Sequence, residues 1–285
     1  MIATFSAVRS ALGGQLRSLV LFGSCLSEAT ARAGSIPDLF AVVDDLDDAL
    51  KTLGVSAAGR LIAPALPPVT LAFDGLAKLN VVDVKTLTRE LHTPTDLYLA
   101  GRLGKRTECV YARDASCRRE IDALRETARR LIARVALLGL PRLTTLEAVL
   151  RRCVGLSYEA EPRPEKPEKI RALYDVFADW YPPRYTPLIA EHARAMGVVL
   201  AADALIDQRD DAVRAKEAKG LRRLIRKSWF RAMARWPKGV LLYRGWLPYL
   251  VGKITRARTW SPTGAAAPHG HVSAVLRSGH EAGRG

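Results

Sequence analysis

Long apolar runs are absent from this chain of 285 residues. The nearest approach, Val240 to Ile254, is broken by Arg244, Gly245 and Pro248. A helix crossing a bilayer needs about twenty apolar residues, so no transmembrane span is predicted. Cysteine is scarce, and Cys25, Cys109, Cys117 and Cys153 lack metal-ligand spacing. Reduced thiols in a cytoplasmic protein are the expectation. The opening Met1-Ile-Ala-Thr-Phe-Ser has no basic segment ahead of an apolar one, so no signal peptide is expected. His92 and His192 have no cysteine or carboxylate at ligand spacing. No internal repeat is present. Asp38 also lacks a second carboxylate at Asp-x-Asp spacing, because Ile36 and Phe40 flank it there.

One absence is local. No Asp or Glu occurs between Leu221 and His280, while eleven Lys or Arg fall between Arg222 and Arg258. With a net charge of +15, the cationic excess is concentrated here, together with Trp229, Trp236, Trp246 and Trp260. Basic side chains interleaved with Trp suit an anionic membrane interface, where amphipathic rings sit at headgroup level. Arg222, Arg223, Arg226, Lys227, Trp229, Trp236 and Trp246 are the expected membrane-binding residues. The same composition also suits nucleic acid, by stacking on bases, or a plain solvated helix.

Chemistry is concentrated near the start. Leu21-Phe-Gly-Ser-Cys is an apolar strand closed by Gly23-Ser24, and Ile36-Pro-Asp-Leu-Phe-Ala-Val-Val-Asp-Asp is a second strand carrying carboxylates. A Gly-Ser turn lets backbone N–H groups and a hydroxyl approach a triphosphate. Carboxylates hold Mg²⁺, which binds nucleotides through one or two carboxylates plus phosphate oxygens. Asp38 and Asp44 lie about 20 Å apart along a straight strand at ~3.3 Å per residue, so they do not share one ion. Asp38 is therefore the expected metal ligand, with Asp83 as the leading second carboxylate. Asp44 and Asp45 read rather as helix-capping residues.

Further on come Lys78-Leu-Asn-Val-Val, Leu97-Tyr-Leu-Ala-Gly-Arg-Leu-Gly-Lys105 and Gly155-Leu-Ser-Tyr158. In this order, with Gly23-Ser24 and Asp38 to Asp45, the segments resemble the mitochondrial-type phosphatidate cytidylyltransferases, the translocator assembly and maintenance family. The similarity runs from about Leu19 to Arg163, with a weaker echo from Arg226 to Lys253. Cys25 stands where the family has glycine, and Ala160-Glu-Pro-Arg163 replaces a Gly-Asp-x-Arg pattern. The resemblance implies an enzyme of the nucleotidyltransferase superfamily, with CTP and phosphatidate as substrates and Mg²⁺ as cofactor. It implies peripheral attachment at the inner face of the membrane and no nucleic-acid partner. Gly23 and Ser24 are then expected at the leaving phosphates. Lys78, Arg102 and Lys105 suit anionic oxygens, Arg102 by its bidentate fork. Tyr98 either stacks on cytosine or fills the core. Ser157 follows the end of a helix, where its hydroxyl can reach a ligand. Two other readings stay open: a transferase with an RNA, protein or small-molecule acceptor, and a degenerate protein that only binds nucleotide or membrane.

The expected class is α+β. A mixed-sheet nucleotidyltransferase domain (1–113) precedes a helical domain compatible with a winged helix (114–218). A basic aromatic segment (219–260) and a disordered tail (261–285) follow. Strands are predicted over Leu19–Phe22 and Leu39–Val43, with a hairpin of Val69–Phe73 and Leu79–Val84 across Asp74-Gly75. Apolar periodicity predicts a helix through Ile121 to Leu138, and Thr144-x-x-Glu147 reads as a capping box opening the next. Helices are also expected over Lys169–Trp180, Pro187–Asp207 and Lys216–Arg235, the last with Trp229 on its apolar side.

Overall fold

Alternating apolar residues in five strands decide how the main sheet is covered. The computed structural model describes residues 1–26, 36–161 and 172–242. The first part contains α1 (Ile2–Leu12), β1 (Leu16–Phe22), β2 (Asp38–Val43), α2 (Leu46–Thr52), α3 (Ala57–Ile62), β3 (Val69–Phe73), β4 (Ala77–Asp83), α4 (Val84–His92), α5 (Tyr98–Leu103) and β5 (Glu108–Ala112). The strand order is β3-β4-β2-β1-β5. β2 and β4 run parallel, and the other neighbours are antiparallel. Odd-numbered residues Leu19, Leu21, Leu39, Ala41, Leu79 and Val81 pack on one face against Val8 and Leu12 of α1 and Ala49 and Leu50 of α2. Even-numbered Val20, Phe22, Phe40, Val42 and Val82 face the opposite way, against α4 and α5. Short polar caps fix the helix starts. Asp45 accepts the Asp48 N–H at the head of α2, and Asp83 accepts the Thr86 N–H at the head of α4.

The second part contains α6 (Ala115–Ala136), β6 (Leu143–Thr145), α7 (Leu146–Glu159), α8 (Pro182–Met196), β7 (Val198–Ala201), β8 (Ala204–Asp207) and α9 (Asp211–Leu242). Its three strands are ordered β6-β8-β7. Among the described residues, a helix, a strand, further helices and a hairpin, with the first strand paired to the last, match the connectivity of a winged helix. The helix expected over Pro187–Asp207 is thus corrected. Gly197 adopts φ 75 and caps α8, and the β-branched pair Val198-Val199 opens the β7–β8 hairpin that follows. The capping box is shifted by one residue, since Thr145 rather than Thr144 accepts the Ala148 N–H while Thr144 pairs in β6. Asp114 caps α6.

The buried cluster on the even-numbered face runs without a break into α6, α7, α8 and Leu221 of α9. The topological boundary near 113 therefore crosses one core. Among the described residues no helix is long and apolar enough to cross a membrane. The stretch beyond 242, including Trp246 and the expected disordered tail, lies outside the described residues, as does the start of the helix expected over Lys169–Trp180.

Candidate active site

Register brings the first group together. β1 ends at Phe22 opposite Asp38, and parallel pairing sets Asp38 beside Lys78. All three share the even-numbered face, under α5. Gly23 follows with φ 84, a left-handed conformation that glycine adopts without penalty. A Cβ there would lie 2.9 Å from the Asp38 Oδ2, so the turn presses on the carboxylate and leaves room for no side chain. Ser24 opens a 3₁₀ turn through Leu26. The Lys78 Nζ stands 3.5 Å from Asp38 Oδ1, and both side chains are partly open to solvent.

Arg102 closes the group from above. Its guanidinium lies 5.8 Å from the centroid of Phe22 and 5.1 Å from that of Tyr98. It is almost fully buried and donates to Glu161 Oε2 at 2.6 Å. Burial disfavours its charge, but the field of Glu161, then of Tyr98 and Asp38, more than offsets this and raises the pKa above the ordinary value. Asp38 and Glu161 thus act on one buried cation.

A second contact joins α5 to α7. Lys105 Nζ donates to Ser157 Oγ at 2.7 Å and lies 4.2 Å from the Tyr158 ring. The helices approach so closely at Gly101 that a Cβ there would meet the Ser157 Cβ at 2.7 Å. Together these elements line one end of the sheet with a carboxylate, a close-approach glycine turn and three cations. Such a set suits a polyanion that brings its own metal.

A family model for mitochondrial phosphatidate cytidylyltransferase matches residues 67–233, more than half of the chain. The chain belongs to that family. It is a CTP:phosphatidate cytidylyltransferase, a nucleotidyltransferase that makes CDP-diacylglycerol. A search of curated proteins found no match. The matched stretch carries Lys78, Arg102, Lys105, Ser157 and Glu161. Gly23 and Asp38 precede it and reach the same place through the β1–β2–β4 pairing.

Not every expected residue joins this group. Asp83 pairs with Val43, five residues along β4 from Lys78, or about 17 Å at ~3.3 Å per residue. It caps α4 at the far end of the sheet and does not share an ion with Asp38. Asp44 is also at that end, bound by Arg17 at 2.7 Å and Arg113 at 2.6 Å. Ser157 is not beyond a helix end. α7 continues to Glu159, and the Ser157 hydroxyl donates to the Val154 carbonyl while accepting from Lys105. Tyr98 carries guanidinium groups of both Arg102 and Arg235, at 5.1 and 4.5 Å from its centroid. Its ring therefore links two arginines. Glu161 was not among the expected site residues; its signal was the acid retained in Ala160-Glu-Pro-Arg163.

On α9, Arg222, Arg223, Arg226 and Lys227 are exposed, as are Phe230 and Met233. Trp229, expected on the apolar side, is 39% exposed on the outer rim, since it lies about 100° round the helix from buried Ser228. Trp236 falls within the same helix.

Proposed function

We propose that cytidylyl transfer takes place where Gly23, Asp38, Lys78 and Arg102 meet, with Lys105 and Ser157 at its edge. The observation that carries this reading is the approach of Gly23 to Asp38, a cradle that a single Cβ would fill. Among the described residues no three His, Cys, Asp or Glu side chains cluster as a metal site. One carboxylate plus triphosphate oxygens is nevertheless a common way to hold Mg²⁺, and Asp38 fits that part. When bound there, Mg²⁺ supplies neutralisation of charge on the phosphates.

The chain's own residues do the rest. Backbone N–H groups of the Gly23-Ser24 turn face the leaving phosphates, and Lys78 and Arg102 hold anionic oxygens in fixed positions. Phosphatidate brings its own nucleophile. A phosphomonoester oxygen bonds to the α-phosphorus of CTP, and the bond to the bridging oxygen breaks as pyrophosphate leaves with the electron pair. Positioning and preorganised charge supply the catalysis, with no covalent enzyme intermediate.

The outer face of α9 suits the anionic membrane surface that holds the substrate, which makes the enzyme peripheral at that surface. Each exposed cation near such a leaflet contributes about 1 kcal/mol, screened within a Debye length, and Trp229, Phe230 and Met233 supply apolar contact. Truncating the helix does not test this, because its inner face packs on the core. Serine at Trp229, Phe230 and Met233 together does. The triple variant is expected to lose flotation with phosphatidate vesicles while keeping activity on a short-chain, water-soluble phosphatidate. Wild-type flotation overturns the membrane reading. For the reaction itself, product formation from CTP and phosphatidate is compared with the other three nucleotides and an RNA acceptor. Transfer to RNA instead of lipid contradicts it.

A further inference from the structure

The inner face of α9 grips the segment that starts α5. Asp96, only 4% exposed, accepts at Oδ2 from Arg231 Nε at 2.7 Å and from Arg235 Nη2 at 2.6 Å. Its Oδ1 accepts the Tyr98 N–H at 2.8 Å. The neighbouring Leu97 N–H donates to Ser228 Oγ of α9 at 3.0 Å. Both are backbone donors at the start of α5 that have no partner within the helix, so α9 satisfies one directly and orients the residue that satisfies the other. Arg235 also donates twice to the Pro67 carbonyl and lies against the Tyr98 ring, whose other guanidinium partner is Arg102.

α5 is six residues long, too short to hold its own geometry in water. It carries Tyr98 at its first position and Arg102 one turn later. Whatever fixes its first turn also fixes where Arg102 stands relative to Asp38 and Phe22. Hydrophobic contacts at Leu221 and Ala232 hold α9 on the body of the protein independently of Asp96.

We propose that Asp96 is a positioning residue for cytidylyl transfer. Through Arg231 and Arg235, α9 sets Tyr98 and hence Arg102, which makes this helix part of the catalytic apparatus. The inference rests on the placement of Arg102 in the site.

A matched control exists. Asp207 is similarly buried and is held by Arg209 at 2.7 Å and by Arg214 at 3.3 Å, at the opposite end of α9 from Arg231 and Arg235. Full-length Asp96→Asn, Asp207→Asn and Arg102→Lys are compared with wild type for turnover of CTP with a water-soluble phosphatidate, and for thermal unfolding. Without a bilayer, membrane docking drops out of the comparison. Displacements of about 1 Å cost up to about 100-fold, so Asp96→Asn is expected to lower kcat/KM for CTP between roughly tenfold and 100-fold. Asp207→Asn is expected to lower the unfolding midpoint with wild-type kinetics. Equal kinetic losses in the two Asp variants, or wild-type kinetics in Asp96→Asn beside an impaired Arg102→Lys, overturn the inference. Full activity in Arg102→Lys overturns the reading of the site and the inference with it.

Discussion

Replacing Gly23 by alanine perturbs the site at one atom. The φ of 84 costs an L-residue about 1–2 kcal/mol, from the clash of Cβ with the carbonyl oxygen. The new Cβ would also stand 2.9 Å from Asp38 Oδ2, 3.6 Å from its Cβ and 3.7 Å from its Cγ. Only the oxygen is too close, and a carboxylate torsion is broad, so the carboxylate swings away by a few tenths of an ångström at little cost in stability. Gly54 has φ 74 with nothing within 4 Å of a built Cβ, and it lies in the turn after α2. Gly54→Ala therefore carries the same backbone strain without the contact. Both variants are expected to lose about 1–2 kcal/mol, which is a few degrees in unfolding midpoint for a chain of this size. In CDP-diacylglycerol formation from CTP, Mg²⁺ and phosphatidate vesicles they separate. Gly54→Ala keeps its turnover, while Gly23→Ala falls by roughly tenfold or more because the carboxylate is misplaced. Turnover of Gly23→Ala within twofold of Gly54→Ala refutes the placement of chemistry at Asp38.

Two further outcomes follow from close contacts elsewhere. Gly101→Ala drives a Cβ to 2.7 Å from that of Ser157, an overpacking expected to cost about 1–3 kcal/mol in urea denaturation. Adding Ser157→Gly removes the 2.7 Å contact but keeps the Ser157 Cα at 3.2 Å and costs about 1 kcal/mol for glycine inside α7, so it should recover part of that stability; no recovery places the clash elsewhere. Lys238 is buried against the Ala63 and Leu66 carbonyls, and burial, then Arg235 and Arg231, push its pKa down to about 7. The folded pKa lies below the ordinary 10.5, so the unfolded chain binds more protons between these values and stability rises with pH from about 7 to 10.5. Lys238→Met should flatten that rise relative to wild type; parallel pH profiles would remove Lys238 as its source.

Four strands of the main sheet were legible, β1, β2 and β4 because they are apolar on both faces and bounded by turn residues, whereas the edge strand β5, with exposed Glu108 and a half-buried Val110 to Ala112, carries no such run. Asp38 and Lys78 were legible singly as strand positions, and only the parallel register of β2 and β4 shows that they meet. The same register takes Asp83 away, which strand periodicity alone does not reveal. The β7–β8 hairpin was hidden because Val198 to Asp207 continues the apolar spacing of α8, and Gly197 was the available stop signal. Asp96 stands two residues after Pro94 with no local pattern that marks it. Its partners Arg231 and Arg235 lie more than 130 positions away, four residues apart on α9, amid cations that looked like a solvated or membrane-facing run. Cations on the buried and exposed sides of a helix have the same composition, and packing alone sorts Arg235 from Arg226.

Asp38→Asn removes the one carboxylate charge on which the placement of cytidylyl transfer depends. It is nearly isosteric, its ion-pair partner among the described residues is Lys78 at 3.5 Å, and the position is partly exposed, so little stability depends on the charge. Formation of CDP-diacylglycerol from CTP, Mg²⁺ and phosphatidate vesicles is measured beside the unfolding midpoint. The account predicts a fall in turnover of at least about 10²–10³-fold with the midpoint unchanged. A folded Asp38→Asn enzyme that retains most of its turnover contradicts it.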